Sequence, residues 1–535
     1  MSFKIRAIRI KTPASGRDHE RRTATLVARN LLNVTMKSIL TKVLQRAFAR
    51  SVEKFQPGRR NFLRKSVLAS MSLTLPLGSC NWLDKKSTIA IVGAGLSGLT
   101  VAYELKKKGI ESILYEATGR AGGRILTVED AVVDGAHVDF GAEYIDTTQT
   151  DLIALSKELN VEMVDLQSDP LIARFYFFGD RRFTEDEMVK ELEPFVERLT
   201  KDIDSLPDEL HYTKADQFKV LDNKTVTEYL KEIGITGWLY DFFDMAITNE
   251  YAMEASVQSA VNLLYILVPP VKSEHQYHAF GQEHEVFKFK GGSQRLIDKL
   301  SAQVRKQIKT GWVLKKINKE VEGYDLTFET EGKSEIISAD RVVLTLPFTV
   351  LRDIKKNFKF PERKQRCIDT LGFGFAAKTA MGFKKRVWRE QGKQGYVYTD
   401  VNRTCIWDSS QGVDIPQGSL SFVTGGNESI DFQNLNYGQI KERWLGGAEK
   451  IFPGLTEQYN GRIAKFCWAA NPFSKGSYTS YLRGQWSDFA GVEQEPFENI
   501  FFAGEHCSVL HQGFMNGAVE SAKKSAEQII KSITV

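Results

Sequence analysis

Thr88-Ile89-Ala90-Ile91-Val92 runs directly into Gly93-Ala94-Gly95-Leu96-Ser97-Gly98. The first stretch is apolar, mostly β-branched and without polar alternation, which is the pattern of a parallel strand buried on both faces. The glycines that follow have the G-x-G-x-x-G spacing. Gly93 permits a tight turn, Gly95 lets the backbone approach a pyrophosphate, and Gly98 lets the next helix pack against the strand. Leu99 to Lys108 has helical spacing and a basic end, and Gly109 stops it. The helix N-terminus would offer free N–H groups to an anion. Ser112 to Tyr115 reads as a second strand, and Glu116 stands eighteen residues after Gly98, where a carboxylate accepts ribose hydroxyls. Strand, glycines, helix, strand and acid in this order predict a dinucleotide half-site in an α/β fold.

The rest of the chain is long enough to build on it. At 535 residues, 42% apolar and with 33 Phe and 17 Tyr, it supports two or three domains with large cores. The net charge of +5 hides an asymmetry. Residues 1–86 hold 19 Lys and Arg against 4 Asp and Glu, while residues 87–535 hold 53 against 63. A net-acidic body argues against a nucleic-acid partner. The five cysteines are scattered without CxxC pairing, so neither a metal site nor a disulfide framework is expected. No run of eighteen apolar residues exists to cross a membrane.

The basic leader contains Gly58-Arg59-Arg60-Asn61-Phe62-Leu63-Arg64-Lys65, then a modestly apolar stretch and Leu77-Gly78-Ser79-Cys80. This resembles a twin-arginine export signal, with Cys80 at a lipoprotein-like cleavage site that would attach the protein to a membrane. A start at Met36 would give the signal an ordinary short basic region. A mitochondrial transit peptide or a plain basic tail are the alternatives, and they leave an organellar or cytoplasmic location open.

Arg120-Ala121-Gly122-Gly123-Arg124, just after Glu116, resembles the R-x-G-G-R segment of the flavin-containing amine oxidase superfamily, which includes monoamine, polyamine and L-amino acid oxidases. Two glycines let the chain run along the cofactor, and arginines offer charge-assisted bonds to phosphates. Phe502-Ala503-Gly504-Glu505 resembles that family's strand end. Gly513-Phe514-Met515-Asn516-Gly517-Ala518-Val519-Glu520-Ser521 resembles its final helix start. Lys290 to Leu296 and Ala339 to Pro347 match intervening segments. The resemblance therefore implies FAD as cofactor, touched by Gly141 and Ala142, by Gly504 and Glu505, and by Met515 at a helix N-terminus facing the flavin.

It also implies a Rossmann-like FAD-binding domain, discontinuous in sequence (87–165, 286–350 and 490–535). A mixed α+β substrate-binding domain would come from 166–285 and 351–489, behind the targeting region 1–86. The acids of Glu185 to Glu197 and Asp202 to Glu209 are read as a solvated helix face.

Three catalytic positions follow from the same resemblance. Lys378 falls where the family places a lysine that holds a water against the flavin and assists reoxidation by molecular oxygen. Tyr478 and Phe514 fall at the two aromatic walls that steer a small amine. Monoamine oxidases attach FAD through a cysteine where this chain has Ser477, so the FAD should be non-covalent. The arginine that binds the carboxylate in L-amino acid oxidases is replaced at about Tyr144, leaving Arg174 or Arg483 as substitutes. Glu143 or Asp146 would instead anchor a distal ammonium. The favoured activity is oxidation of a primary amine or polyamine to an imine, with hydrogen peroxide as product. An L-amino acid oxidase, a flavin desaturase and a non-enzymatic flavoprotein are the alternatives, and a homodimer is compatible with all of them.

Overall fold

The computed structural model describes residues 88–267, 279–281 and 284–534. The expectations for Arg59, Arg60 and Cys80 lie outside the described residues. Ile89–Val92 is the middle strand of a five-stranded parallel sheet. Its neighbours are Ile113–Glu116 on one side and Arg341–Leu344 on the other, with Ile308–Thr310 and Ile500–Phe502 at the edges. The strands thus come from three separated stretches of chain. All four residues of Ile89–Val92 are buried, as their unbroken apolar run requires.

The helix after the glycines begins at Leu96, three residues before its apolar periodicity starts, and ends at Lys107. Gly93 has φ +104°, and a Cβ on Gly98 would stand 1.9 Å from the Gly93 carbonyl oxygen. The turn is therefore closed to any side chain at either place. Lys106 and Lys107 sit at the negative end of the helix dipole. Helix Leu96–Lys107 packs beside the C-terminal helix Met515–Thr534. Leu99, Val101, Leu105, Val519, Ala522 and Ile529 form one core with the sheet.

A four-stranded sheet follows the edge strand: the antiparallel strands Val313–Lys319, Tyr324–Thr330 and Lys333–Ala339, with Lys355–Lys356 added in parallel. The last strand carries this unit past the expected boundary at 350. The second large sheet has seven strands, in the order Tyr459–Cys467, Ala376–Phe383, Gly418–Gly425, Thr404–Asp408, Lys393–Thr399, Ile172–Phe178 and Arg181–Phe183. Every pairing in it is antiparallel except that between Lys393–Thr399 and Ile172–Phe178. Of the helices between 185 and 266, Gly237–Glu250 packs against strands Gly418–Gly425, Thr404–Asp408, Lys393–Thr399 and Ile172–Phe178. Asp202, expected in solvent, is instead buried, where it accepts from Arg198 (2.6 Å) and Tyr229 (2.9 Å). Among the described residues no helix is long and apolar enough to cross a membrane.

Candidate active site

The parallel sheet and the seven-stranded sheet meet along one elongated cavity of about 580 Å³. At one end it is lined by Gly93, Gly95, Glu116, Arg120, Gly122 and Gly123; at the other by Lys378, Tyr478, Phe514 and Trp407. Gly98 does not line it, since its part is the close packing behind the turn. The volume lies within the usual range for small-molecule and cofactor sites.

Glu116 is the last residue of its strand, buried, with Oε2 accepting from Ala94 N at 2.8 Å and Oε1 from Thr118 N at 2.9 Å. The carboxylate is held rigidly at the sheet's C-terminal edge, where dinucleotide ribose is read. Arg120 is turned inward: its guanidinium donates to the carbonyls of Ile125 (2.9 Å) and Gly123 (2.6 Å). These donors brace the double-glycine loop, while the side chain also lines the cavity at the end expected to take phosphates. Gly95 and Gly122 form an isolated bridge, so the two glycine loops lie edge to edge along the cavity.

Arg124 crosses to the far end of the chain. It donates to Glu505 Oε1 at 2.6 Å and to the Ser477 carbonyl at 2.7 Å. Glu505 Oε2 accepts from Gly513 N at 2.7 Å and Thr479 Oγ1 at 2.9 Å. Burial would push the Glu505 carboxyl up, but Arg124 and its hydrogen bonds hold it below the usual value. Gly504, Met515 and Ala518 line the cavity beside it. Gln512 is buried on the cavity wall, and its Nε2 has no partner among the described residues. A buried amide donor normally finds an acceptor, so this edge suits a polar group in the cavity. A glycine-lined cradle, a fixed carboxylate, a helix N-terminus and a waiting donor are what an extended dinucleotide needs, and the site fits FAD.

At the other end, Lys378 projects from strand Ala376–Phe383 and is 7% exposed. Its Nζ donates to Asp139 O at 2.5 Å and to Glu143 Oε2 at 3.0 Å. Its remaining contact is Gly141 O at 3.4 Å, the outer limit of a hydrogen bond. An ammonium has three donors, and the third, spent on this long contact, is the one that a water or ligand in the cavity would take over. Tyr478 donates its hydroxyl to Asn249 O at 3.1 Å, which fixes the ring, and Phe514 lies at the start of the final helix. Ser477 turns its hydroxyl onto Gly374 O at 2.8 Å.

Glu143 lines the cavity but is already occupied. Its side chain is 2% exposed and accepts from Lys378, Lys288 and Trp407 Nε1. A carboxylate so engaged is not available to a substrate ammonium, and this expectation is corrected. Asp146 also lines the cavity, accepting from Glu285 N at 2.7 Å and facing His284 Nδ1 at 3.7 Å. Of the two substitute arginines, Arg174 pairs with Glu285 at 3.3 Å, and Arg483 pairs with Glu228 on the surface. Neither lines the cavity.

Residues that sequence reasoning missed complete this end. Tyr144, Tyr396, Tyr398 and Trp407 form an aromatic wall, with Tyr396 and Trp407 stacked at 5.8 Å. Glu250, the last residue of helix Gly237–Glu250, lines the cavity with His284 and Glu285. Burial, helped by Glu285 and Asp146 and opposed by His284, pushes the Glu250 carboxyl up to about 7. For His284 burial works the other way, yet Glu285, Asp146 and Glu250 together raise it above its ordinary value. These residues lie in a stretch without a specific motif, and only contact across the cavity reveals them. Among the described residues no cluster of His, Cys, Asp and Glu is placed to hold a metal ion.

The comparisons with known proteins agree with this geometry. The family model for flavin-containing amine oxidoreductases matches residues 96–530. A flavin-containing amine oxidase of Oncorhynchus mykiss is 23% identical over 462 residues, covering 83% of this chain and 85% of the relative. An L-amino acid dehydrogenase of Synechocystis is 24% identical over 482 residues, covering 86% and 96%. Among solved structures, cyclohexylamine oxidase from Brevibacterium oxydans superposes with a TM-score of 0.74 at 20% identity, covering 84% of this chain and all of that one. Putrescine oxidase bound to putrescine gives 0.72 at 19% identity, covering 83% and 99%. With the cavity built as it is and the family model spanning most of the sequence, the chain belongs to the flavin-containing amine oxidoreductases and is an FAD-dependent oxidoreductase acting on amines.

Proposed function

We propose that the protein oxidises a primary amine or polyamine to the imine, which water hydrolyses, and passes the electrons to molecular oxygen to give hydrogen peroxide. The observation that carries this reading is the charge of the substrate end. Glu250, Asp146 and Glu285 line it with His284, and among the described residues no arginine lines this end, Arg174 standing behind Glu285 and paired with it at 3.3 Å. A substrate carboxylate would meet like charge there, whereas an ammonium would meet carboxylates and the electron-rich faces of tyrosines.

FAD, when bound, supplies the acceptor for the hydride equivalent that leaves the carbon bearing the amine. The protein's own residues do the rest. Tyr478 and Phe514 narrow the approach and exclude water. Lys378 presents an N–H donor to a water at the reacting face. Glu250 reaches toward an amine's far end, and its position near neutrality lets it ionise as a second ammonium arrives.

Ser477 cannot form a thioether and is bonded to Gly374 instead, which supports non-covalent FAD. The reading is tested by mixing the oxidised holoenzyme anaerobically with monoamines, diamines and amino acids. Flavin bleaching by amines and not by amino acids supports it. The reverse preference overturns it.

A further inference from the structure

Lys288 is the residue that the amine-oxidase reading leaves unexplained. It lies in the middle of strand Phe287–Phe289, paired in register with Tyr144 on one side and Val164 on the other. It is 1% exposed and among the largest fully buried side chains in the protein. Its Nζ donates to Ser409 O at 2.9 Å and to Glu143 Oε1 at 3.3 Å. A buried ammonium carries a desolvation penalty of several kcal/mol unless it is compensated. Leucine or methionine would fill the same space without that penalty.

The compensation comes from Glu143, whose other oxygen accepts from Lys378 at 3.0 Å. One carboxylate therefore bridges two ammoniums that arrive from different sheets. Lys378 faces the cavity, while Lys288 lies behind Glu143 and does not line it. The Lys378 ammonium also donates to Asp139 O and Gly141 O, carbonyls of the same stretch that carries Glu143. Whatever fixes Glu143 therefore fixes the aim of Lys378. Asp139 and Asp408 are the other acids facing Lys288. Both are held elsewhere: Asp139 by Ser293 N and Thr127, Asp408 by Ser410 N and Trp388 Nε1.

We propose that Lys288 is a positioning residue for the reaction: acting through Glu143, it holds Lys378 at the reacting face and gives that face one positive charge more than the Lys378–Glu143 pair would carry alone. A flavin gains negative charge on reduction, so the extra charge favours reduced FAD. At separations of about 10 Å and an effective dielectric of about 20, one unit charge shifts such an equilibrium roughly tenfold. For a two-electron couple that is about 30 mV.

This inference rests on the amine-oxidase reading only for cofactor identity, and its test needs no substrate. The midpoint potential of bound FAD is measured in the holoenzyme and three variants. Lys288→Met should lower it by about 30 mV, a roughly tenfold change. Glu143→Gln should raise it. The double variant, which loses one charge of each sign, should return to within about twofold of the native equilibrium. A merely structural lysine would move none of these in that order, because the double variant loses the most contacts. An unchanged potential in Lys288→Met, or a double variant further from native than either single one, overturns the proposal. If Lys288→Met does not accumulate as folded protein, Glu143→Gln decides: a rise supports the charge account, and an unchanged or lowered potential ends it.

Discussion

Arg124 Nη1 lies 2.6 Å from Glu505 Oε1, joining residues 381 positions apart at the wall of one cavity. Through this pair the double-glycine loop, the Ser477 to Thr479 segment and the turn before the last helix share a single buried carboxylate. The pair closes the site, since each segment supplies one wall of the cofactor cradle.

Removing the carboxylate should therefore loosen both stability and cofactor. Glu505→Ala leaves the half-buried Arg124 without its carboxylate, and breaking such a pair costs up to about 3 kcal/mol. The expected outcome is a lower Tm in the apoprotein and FAD lost on gel filtration. Glu505→Gln, which keeps acceptor atoms toward Gly513 N and Thr479, should be milder. A Glu505→Ala protein that keeps both Tm and flavin would show that the three segments are fixed independently.

Lys378 separates the two halves of the catalytic cycle. Its ammonium lines the cavity, and its long 3.4 Å contact to Gly141 O is the bond a water there would replace, while the amine's approach is shaped by Tyr478 and Phe514. Losing an electrostatic or proton-handling group commonly costs on the order of a hundredfold in its own step. Lys378→Met should slow reoxidation of reduced flavin by oxygen by roughly that factor, and change anaerobic reduction by a good amine several-fold at most. Stopped-flow traces of each half-reaction measure both. If neither changes, Lys378 has no part in catalysis.

Glu250 makes substrate binding depend on pH. Its carboxyl, pushed up to about 7 by burial, is largely neutral below that value and charged above it. KM for a diamine should therefore fall as pH rises from 6 to 8, and Glu250→Gln should abolish the trend and raise KM about tenfold. His284, Glu285 and Asp146 face Glu250, and although burial alone would lower His284, these carboxylates hold it above its ordinary value. The stability sign is opposite. A carboxyl raised by folding contributes stability below its unfolded value, near 4.5, and loses it as pH climbs through 7. Native protein should thus gain stability between pH 7 and 5 from this group, and Glu250→Gln should flatten that gain.

Much of this was legible in the sequence, for a local reason. Ile89 to Glu116 fixes its own strand, turn, helix and strand through residues close in the chain, and the glycine spacing leaves one workable backbone. Lys378, Tyr478 and Phe514 came from segment resemblance, and the structure brings all three to one end of the cavity. What was not legible depends on contacts across hundreds of positions. Nothing in the sequence around Glu143 reveals Lys288 and Lys378 closing on it from 145 and 235 positions away. The spacing of Arg120 does not show that its donors reach back to its own loop. Glu250 ends a helix with no motif, and its role is visible only when His284 and Glu285 stand beside it.

The leader offers an independent test. Because Arg59 and Arg60 precede Phe62 and Leu63, changing both arginines to lysine should leave folded holoenzyme in the cytoplasm of a bacterium with twin-arginine export. Cys80→Ala, in a chain with both arginines intact, should release the protein from membranes if Cys80 is lipidated. Normal export of the double-lysine variant would end the signal reading without touching the account of the site.

The account stands most directly on anaerobic reduction of the purified yellow protein. Acid precipitation should first send the flavin to the supernatant, since Ser477 offers no thioether. Rapid mixing of the intact holoenzyme with a diamine should then bleach the flavin in one turnover. Admitting oxygen should restore the colour and yield one hydrogen peroxide per flavin. An L-amino acid of similar length should leave the spectrum unchanged. Bleaching by amino acids but by no amine would contradict the central claim.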